Sequence, residues 1–149
     1  LRKSFFKSLY ELRESLDPMA AKLAARNSAS LSRAEAQALL DRGRLAVQEA
    51  SVAALTSADV AFHMWIYQAA GNPLLTDTLR LYWHHLRRAM VAVMEPAQGR
   101  DRVWDEHECI LEAVLSGQEQ AAERLSLLHI QEAAQRVMQG LPDDSLQGS

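Results

Sequence analysis

The chain has 149 residues, enough for one domain with a substantial core, and 48% of them are hydrophobic. Its formal net charge of −3 argues against a nucleic-acid-binding surface over the whole chain. Its one cysteine excludes an internal disulfide, which fits a cytoplasmic protein, and no apolar run reaches the roughly 20 residues of a membrane span. Glycine and proline are few, which favours helices over strands.

The first helix is predicted from about Ser8 to Asn27. One buried stripe recurs every three or four residues along it and consists of Leu9, Leu12, Leu16, Met19 and Leu23. Pro18 lies in the middle and removes one backbone hydrogen bond, so we expect a kink or a break there. Arg13, at the edge of the stripe, is either a solvated side chain or a charge that enters a polar cavity. Residues 1–7 are expected to be the remnant of a linker, since the chain has no initiator methionine and looks like a fragment.

Capping signals mark the next two helices. Ser32 and Glu35 form a capping box, so the second helix is expected from near Arg33 to about Ser51, weakened by Gly43. The third helix is expected from near Ser57 to Gly71, a residue that often follows a helix C-terminus.

Three more helices follow. Asn72-Pro73 opens the fourth, which should run to about Met94, and the fifth and sixth are predicted at about 101–116 and 118–139. His84 and His85 point about 100° apart on the fourth helix, so at least one should be exposed. The predicted fold is all-α, an antiparallel bundle of about six to seven helices over residues 8–140, followed by a disordered tail at 141–149.

Four polar side chains at helical spacings predict a metal site inside this bundle. Asp59 and His63 are four residues apart and therefore share one helix face. His107 and His129 lie on the apolar stripes of two other helices and should face inward. Three imidazoles and one carboxylate suit zinc or nickel first, with iron(II) or manganese as alternatives. Cys109 points to nearly the opposite side of the helix from His107, so we leave it out of the site.

Each of these residues also has a purely structural interpretation. Asp59 falls in the first turn of its predicted helix, where a carboxylate caps free amides and interacts with the helix dipole. A single histidine on an apolar face is more often a core residue than a ligand. Burying several imidazoles without a shared partner, however, costs roughly 1–3 kcal/mol each, and one metal ion removes that cost.

An octahedral ion with four protein ligands keeps two positions open for a small carboxylate. Arg13, Arg87 or Arg88 could pair with that carboxylate through a charge-assisted contact. Open positions also permit catalysis, but the chain lacks the Glu-x-x-His pairs of di-iron bundles and the metalloprotease pattern His-Glu-x-x-His. We therefore predict a receptor without enzymatic activity. A mononuclear metal enzyme and a metal-free oligomerisation bundle remain the alternatives.

A set of short motifs also occurs in a fixed order along the chain. They are Tyr10-Glu11-Leu12-Arg13, Ala20-Ala21-Lys22-Leu23-Ala24-Ala25, Asp59-x-x-x-Phe62-His63, Ala70-Gly71-Asn72-Pro73-Leu74-Leu75, Glu106-His107-x-x-Ile110-Leu111-x-Ala113, and Ala121-Ala122 before His129. From about Leu9 to Met138 this order resembles the FCD domain, the C-terminal effector-binding domain of FadR-type regulators in the GntR family of bacterial transcription factors.

The resemblance implies a helical bundle, often dimeric, that binds small carboxylates such as lactate, citrate or gluconate-type acids. In the metal-binding branch of that family, one aspartate and three histidines hold a divalent ion. Their positions match Asp59, His63, His107 and His129. The family's first-helix arginine, a contact for the ligand carboxylate, matches Arg13.

The fourth-helix arginines of the family, which correspond to Arg87 and Arg88, vary more. Family members carry a winged-helix DNA-binding domain before this one, and this sequence has none. Operator DNA is therefore expected to bind only through that missing domain. The resemblance also implies a homodimer in which ligand binding shifts the first and fourth helices.

Overall fold

The computed structural model of the protein describes residues 2–93 and 99–144. Over these residues the chain forms six α-helices and no strand, which confirms the predicted all-α bundle. The helices are α1 (Lys3–Arg26), α2 (Arg33–Glu49), α3 (Val52–Ala69), α4 (Pro73–Val93), α5 (Arg100–Leu115) and α6 (Glu119–Gly140), with a 3-10 turn at Ser28–Ser30. No helix in this described part is long and apolar enough to cross a membrane.

The first helix starts five residues earlier than predicted, at Lys3. Residues 3–7, which were expected to belong to a linker, are part of the helix, and Phe6 among them is buried in the core. The carboxylate of Asp144 accepts hydrogen bonds from the backbone amides of Lys3 and Ser4, at 2.7 and 3.1 Å. These bonds give partners to amides that a helix N-terminus leaves free, so the earlier start is stabilised from the far end of the chain.

Two further features of α1 differ in part from the prediction. The helix is continuous through the buried Pro18, so the break that was expected as one of two outcomes does not occur. The predicted stripe is buried only in part, since Leu9 is buried and Leu16 and Leu23 pack against the core, whereas Leu12 and Met19 are 37% and 39% exposed. The buried face lies further round the helix and consists of Phe6, Leu9, Tyr10, Arg13, Asp17, Pro18, Ala20, Ala21, Ala24 and Ala25.

The start of α2 is confirmed, because the hydroxyl of Ser32 accepts the backbone hydrogen bond of Glu35 at 3.2 Å. Gly43, predicted to weaken this helix, has a packing role in the structure. A Cβ atom at this position would lie 2.3 Å from ring carbons of Trp104 on α5. Glycine is therefore the residue that lets the indole lie against the backbone of α2.

The third helix also begins earlier than predicted, at Val52 instead of Ser57. The hydroxyl of Ser51 accepts the amide hydrogen of Ala54 at 3.2 Å and so caps the helix. Asp59 consequently lies seven residues beyond the first helical residue, about two turns from the N-terminus. The interpretation of Asp59 as a capping residue is therefore wrong.

The remaining helix boundaries agree with the sequence to within one or two residues. The side chain of Asn72 accepts the amide of Leu74 at 3.1 Å at the start of α4, as the Asn-Pro signal indicated. Leu141 is buried after the end of α6, so the predicted disordered tail does not begin there. Residues 145–149 of that tail, and the loop predicted between the fourth and fifth helices except for its last two residues, lie outside the described part.

Helix α1 contacts α3, α4, α5 and α6 and therefore occupies the centre of the bundle. It runs antiparallel to α6, because ion pairs join its start to the segment after α6 and its end to the start of α6. These pairs are Lys3 with Asp143 and Arg26 with Glu119. Helix α2 packs against α3 and α5 on the outside. The arrangement directs one face each of α3, α5 and α6 into a common interior.

Candidate metal centre

Three histidines from three different helices meet in this interior. His63 of α3, His107 of α5 and His129 of α6 each present a ring nitrogen within 4.8 Å of the others. Their exposed fractions are 5%, 0% and 4%. The inward orientation expected for His107 and His129 is therefore observed, although the two residues are far apart in sequence.

The spacing of the nitrogens is compatible with a shared ion. Nε2 of His107 lies 3.2 Å from Nε2 of His129. Two nitrogens bound about 2.1 Å from one metal, at angles of roughly 90–110°, lie about 3.0–3.4 Å apart. A divalent cation could therefore be accommodated by these two ligands with little movement of either ring.

The carboxylate of Asp59 lies beside the same histidines. Its Oδ1 atom is 3.3 Å from Nε2 of His107 and 3.7 Å from Nε2 of His63. Asp59 is buried, as a carboxylate that faces the interior must be. The structure therefore brings the three predicted histidines together and places Asp59 beside two of them, at the α3 and α5 side of the cluster.

Burial sets the protonation states in this cluster. Desolvation, with a further contribution from the charge of Arg13, lowers the pKa values of His63 and His107 well below 6.5. Desolvation also raises the pKa of Asp59 to about 6. At neutral pH the two imidazoles are therefore uncharged, which is the form that donates a lone pair to a metal.

A second carboxylate lies behind His129. Oε1 of Glu106 is 2.7 Å from Nδ1 of His129, on the ring edge away from Nε2. Two arginines flank this carboxylate, Arg102 at 3.7 Å and Arg136 at 3.8 Å. Sequence reasoning gave Glu106 no role, although it directly precedes His107.

His107 is held by aromatic packing. Its ring stacks on Phe62 and meets the edge of Trp104. Its Nδ1 atom is buried and has no hydrogen-bond partner within the described ranges. Its orientation therefore depends on ring contacts on one side and on the groups near Nε2 on the other.

Arg13 points into the protein, so its interpretation as a solvated side chain is wrong. It is 3% exposed and its Nε donates to Oδ2 of Asp17 at 2.9 Å. Its Nη2 lies 2.7 Å from the same oxygen, so two nitrogens of the guanidinium contact one carboxylate oxygen.

The ion pair of Arg13 and Asp17 belongs to a chain of buried polar groups. The hydroxyl of Tyr67 donates to Oδ1 of Asp17 at 2.8 Å, and the indole nitrogen of Trp83 donates to that hydroxyl at 3.3 Å. The same indole lies 4.9 Å from the guanidinium of Arg13 and 5.2 Å from the ring of His63. Trp83 therefore contacts both the histidine cluster and the arginine.

The other predicted ligand-binding residues lie elsewhere. Arg87 and Arg88 are exposed on α4, so the structure does not bring them to the buried cluster. His84 is exposed, as expected for at least one of the paired histidines, while His85 is half-buried and contacts Phe5 of α1.

Comparison with known proteins gives one result that covers most of the chain. The family model of the FCD domain matches residues 8–132, which include all four candidate ligands and Arg13. Among curated proteins no match to the chain is found.

Proposed function

The chain belongs to the FCD domain family, the effector-binding domains of GntR-type transcription regulators, and from this premise we propose that it senses a small organic acid through a bound divalent metal. The ligands of the ion are Asp59, His63, His107 and His129. The effector is a carboxylate that completes the coordination of the ion.

One observation carries the metal proposal, namely that three buried imidazole nitrogens from three helices lie within 4.8 Å of one another. Imidazoles packed in an apolar interior lack solvent, and a shared cation provides a partner for the nitrogens that face the cluster. Three nitrogens and one carboxylate oxygen are suitable ligands for zinc or nickel, and acceptable ones for iron(II) or manganese.

Arg13 is the proposed contact for the part of the organic acid that does not bind the metal. Its burial and its position one indole ring from His63 support this role. Asp17 keeps the guanidinium in place and already neutralises part of its charge, so the acid would share the arginine with Asp17. Arg87 and Arg88 remain candidates only if their exposed side chains fold over the site.

We propose a homodimer that joins two copies through α1 and α4. Phe5, Leu12 and Met19 recur every seven residues on α1 and are 39%, 37% and 39% exposed. Leu74 and Leu81 are likewise spaced by seven on α4 and are more exposed still. The ring of Phe5 contacts His85, one turn from Leu81, so the two apolar stripes approach each other at this point. A second copy would cover this combined surface.

Effector binding would then change how α1 and α4 pack, which requires that the acid favour one arrangement over the other. Operator DNA would be contacted by a separate winged-helix domain, and the regulator would act in the cytoplasm. The domain itself would comprise the helical bundle, with α1 included from its first turn.

Native mass spectrometry of the purified protein, under gentle and then denaturing conditions, tests these points together. We expect a dimer whose excess mass equals one divalent ion per chain, with or without a carboxylic acid. Addition of lactate, citrate or gluconate should raise the melting temperature only while the metal is present, and the acid should be recovered unchanged. A metal-free protein after incubation with zinc or nickel would refute the metal site, and conversion of the acid would indicate an enzyme.

A further inference from the structure

The second carboxylate near the cluster suggests a role that the metal site alone does not include. We propose that Glu106 is a positioning residue, which fixes His129 in the tautomer with hydrogen on Nδ1 and so directs the lone pair of Nε2 at the metal. This inference rests on the proposed metal site and adds a residue that determines its affinity.

The geometry of the imidazole supports this assignment. A carboxylate oxygen only accepts hydrogen bonds, so the 2.7 Å contact with Oε1 of Glu106 requires the hydrogen to be on Nδ1 of His129. In the neutral ring Nε2 is then the nitrogen with a free lone pair. That atom faces the cluster, since it lies 3.2 Å from Nε2 of His107. Opposite edges of one ring therefore contact the carboxylate and the prospective ion.

Glu106 is itself held between two helices. Arg102 precedes it by one turn on α5, and Arg136 approaches it from α6. Glu132 pairs with the same two arginines, at 3.0 Å to Arg102 and 3.9 Å to Arg136. Two carboxylates and two guanidinium groups therefore alternate where α5 packs against α6. These ion pairs hold the Glu106 carboxylate behind His129 and keep it from turning into the cluster.

Helix α5 would therefore contribute two residues to the metal site. His107 supplies a ligand directly, while the preceding Glu106 points about 100° away and reaches the ligand that α6 supplies. The Nδ1 atom of His107 has no comparable partner within the described ranges. Loss of a carboxylate behind a ligating histidine typically weakens metal affinity by about 10–100-fold.

The experiment compares Glu106→Ala with Glu106→Gln, which keeps an oxygen acceptor, and with Glu108→Ala as a matched control. Glu108 lies on the same helix and its ion pair is with Arg44, on the exposed surface. Nitrogen-15 NMR of the imidazoles in zinc-free protein reports the tautomer of His129. Competition with a chromophoric chelator gives the zinc affinity of each variant, and circular dichroism verifies folding.

We expect Glu106→Ala to lose the Nδ1-protonated tautomer and to bind zinc about 10–100-fold more weakly. Glu106→Gln should keep the tautomer and most of the affinity, and Glu108→Ala should match the wild type. A folded Glu106→Ala protein with unchanged tautomer and affinity would overturn the assignment, as would a Glu106→Gln protein that has lost the tautomer. If wild-type protein binds neither zinc nor nickel the proposed function fails, while the NMR measurement still decides what Glu106 does to His129.

Discussion

The imidazole of His107 lies parallel to the phenyl ring of Phe62, with 3.8 Å between the ring centroids and 7° between their planes. His107 is therefore a packed core residue as well as a candidate ligand. We expect His107→Ala to lower the free energy of unfolding by about 2–4 kcal/mol even when a chelator removes all metal, because it leaves a cavity against Phe62. Urea denaturation in excess chelator measures this loss.

Cys109, two residues further along α5 and exposed, provides the control. Cys109→Ala should change the free energy of unfolding by no more than about 0.5 kcal/mol. Equal stability of His107→Ala and wild type under chelator would mean that the stacking contributes nothing.

Each of the three buried histidines should be required for metal binding. We expect His63→Ala, His107→Ala and His129→Ala each to lose bound zinc, together with the rise in melting temperature that zinc produces, because binding to the folded state alone stabilises it. Zinc content after dialysis, measured by elemental analysis, checks this. His84→Ala, at an exposed position, should retain both properties. If a variant of one of the three buried histidines also retains them, that histidine is not a metal ligand.

Removal of Asp17 should destabilise the protein strongly. In Asp17→Asn the buried guanidinium of Arg13 keeps its charge but loses its counter-ion, which typically costs about 3–5 kcal/mol. Urea denaturation measures the loss. The exposed pair of Lys22 and Glu123 is the matched control, where Glu123→Gln should cost no more than about 1 kcal/mol. A similar small cost for Asp17→Asn would show that Arg13 does not depend on this partner.

Tyr67 should make the protein sensitive to alkali. Burial, reinforced by the charge of Asp17, raises the pKa of its hydroxyl well above 10. Above pH 10 the unfolded chain loses this proton and the folded chain keeps it. The free energy of unfolding should therefore be unaffected below that pH and fall by up to about 1.4 kcal/mol per pH unit above it.

The comparison of Tyr67→Phe with Tyr82→Phe tests this expectation by urea denaturation between about pH 9 and pH 11. Tyr67→Phe should lose stability less steeply than wild type as the pH rises. Tyr82 lies partly exposed on α4, so Tyr82→Phe should keep the wild-type slope. Identical slopes for all three proteins would contradict the assignment.

Charges placed on the α1 and α4 stripes should separate the proposed dimer. We expect Leu12→Glu and Leu81→Glu to yield monomers by sedimentation equilibrium, because each buries an unpaired carboxylate in the interface. Leu128→Glu, at an exposed position of α6, should remain dimeric. If Leu12→Glu and Leu81→Glu both remain dimeric, the interface does not lie on the α1 and α4 stripes.

The features that sequence predicted correctly depend on local signals. The hydroxyl of Ser32 caps α2 by accepting the amide hydrogen of Glu35, three residues later. Such a contact is specified within one helical turn. His107 and His129 follow the apolar periodicity of their own helices, so their inward direction could be inferred without knowledge of their neighbours. Their convergence with His63 remained a hypothesis until the helices were placed.

The errors have equally specific causes. Ser57 was predicted as the start of the third helix, whereas Ser51 is the residue that caps it. Asp59 was therefore assigned to the first turn, although it lies about two turns further along. Leucine spacing alone placed Leu12 in the core, because an exposed apolar stripe has the same periodicity as a buried one.

The polar chain from Arg13 to Trp83 was also missed. The i to i+4 spacing of Arg13 and Asp17 was a usable signal for their ion pair. The contact of Asp17 with Tyr67 spans 50 residues, and no local pattern indicates it.

The antiparallel arrangement of α1 and α6 has a mechanical consequence. Tension applied between residues 3 and 144 would act on two neighbouring ends of the helix pair, so the load would open the pair progressively from that end. The contact of Lys3 with Asp143 would break first and that of Arg26 with Glu119 last. A pull transmitted through the N-terminal end of α1 would therefore break the contacts of this helix pair one after another.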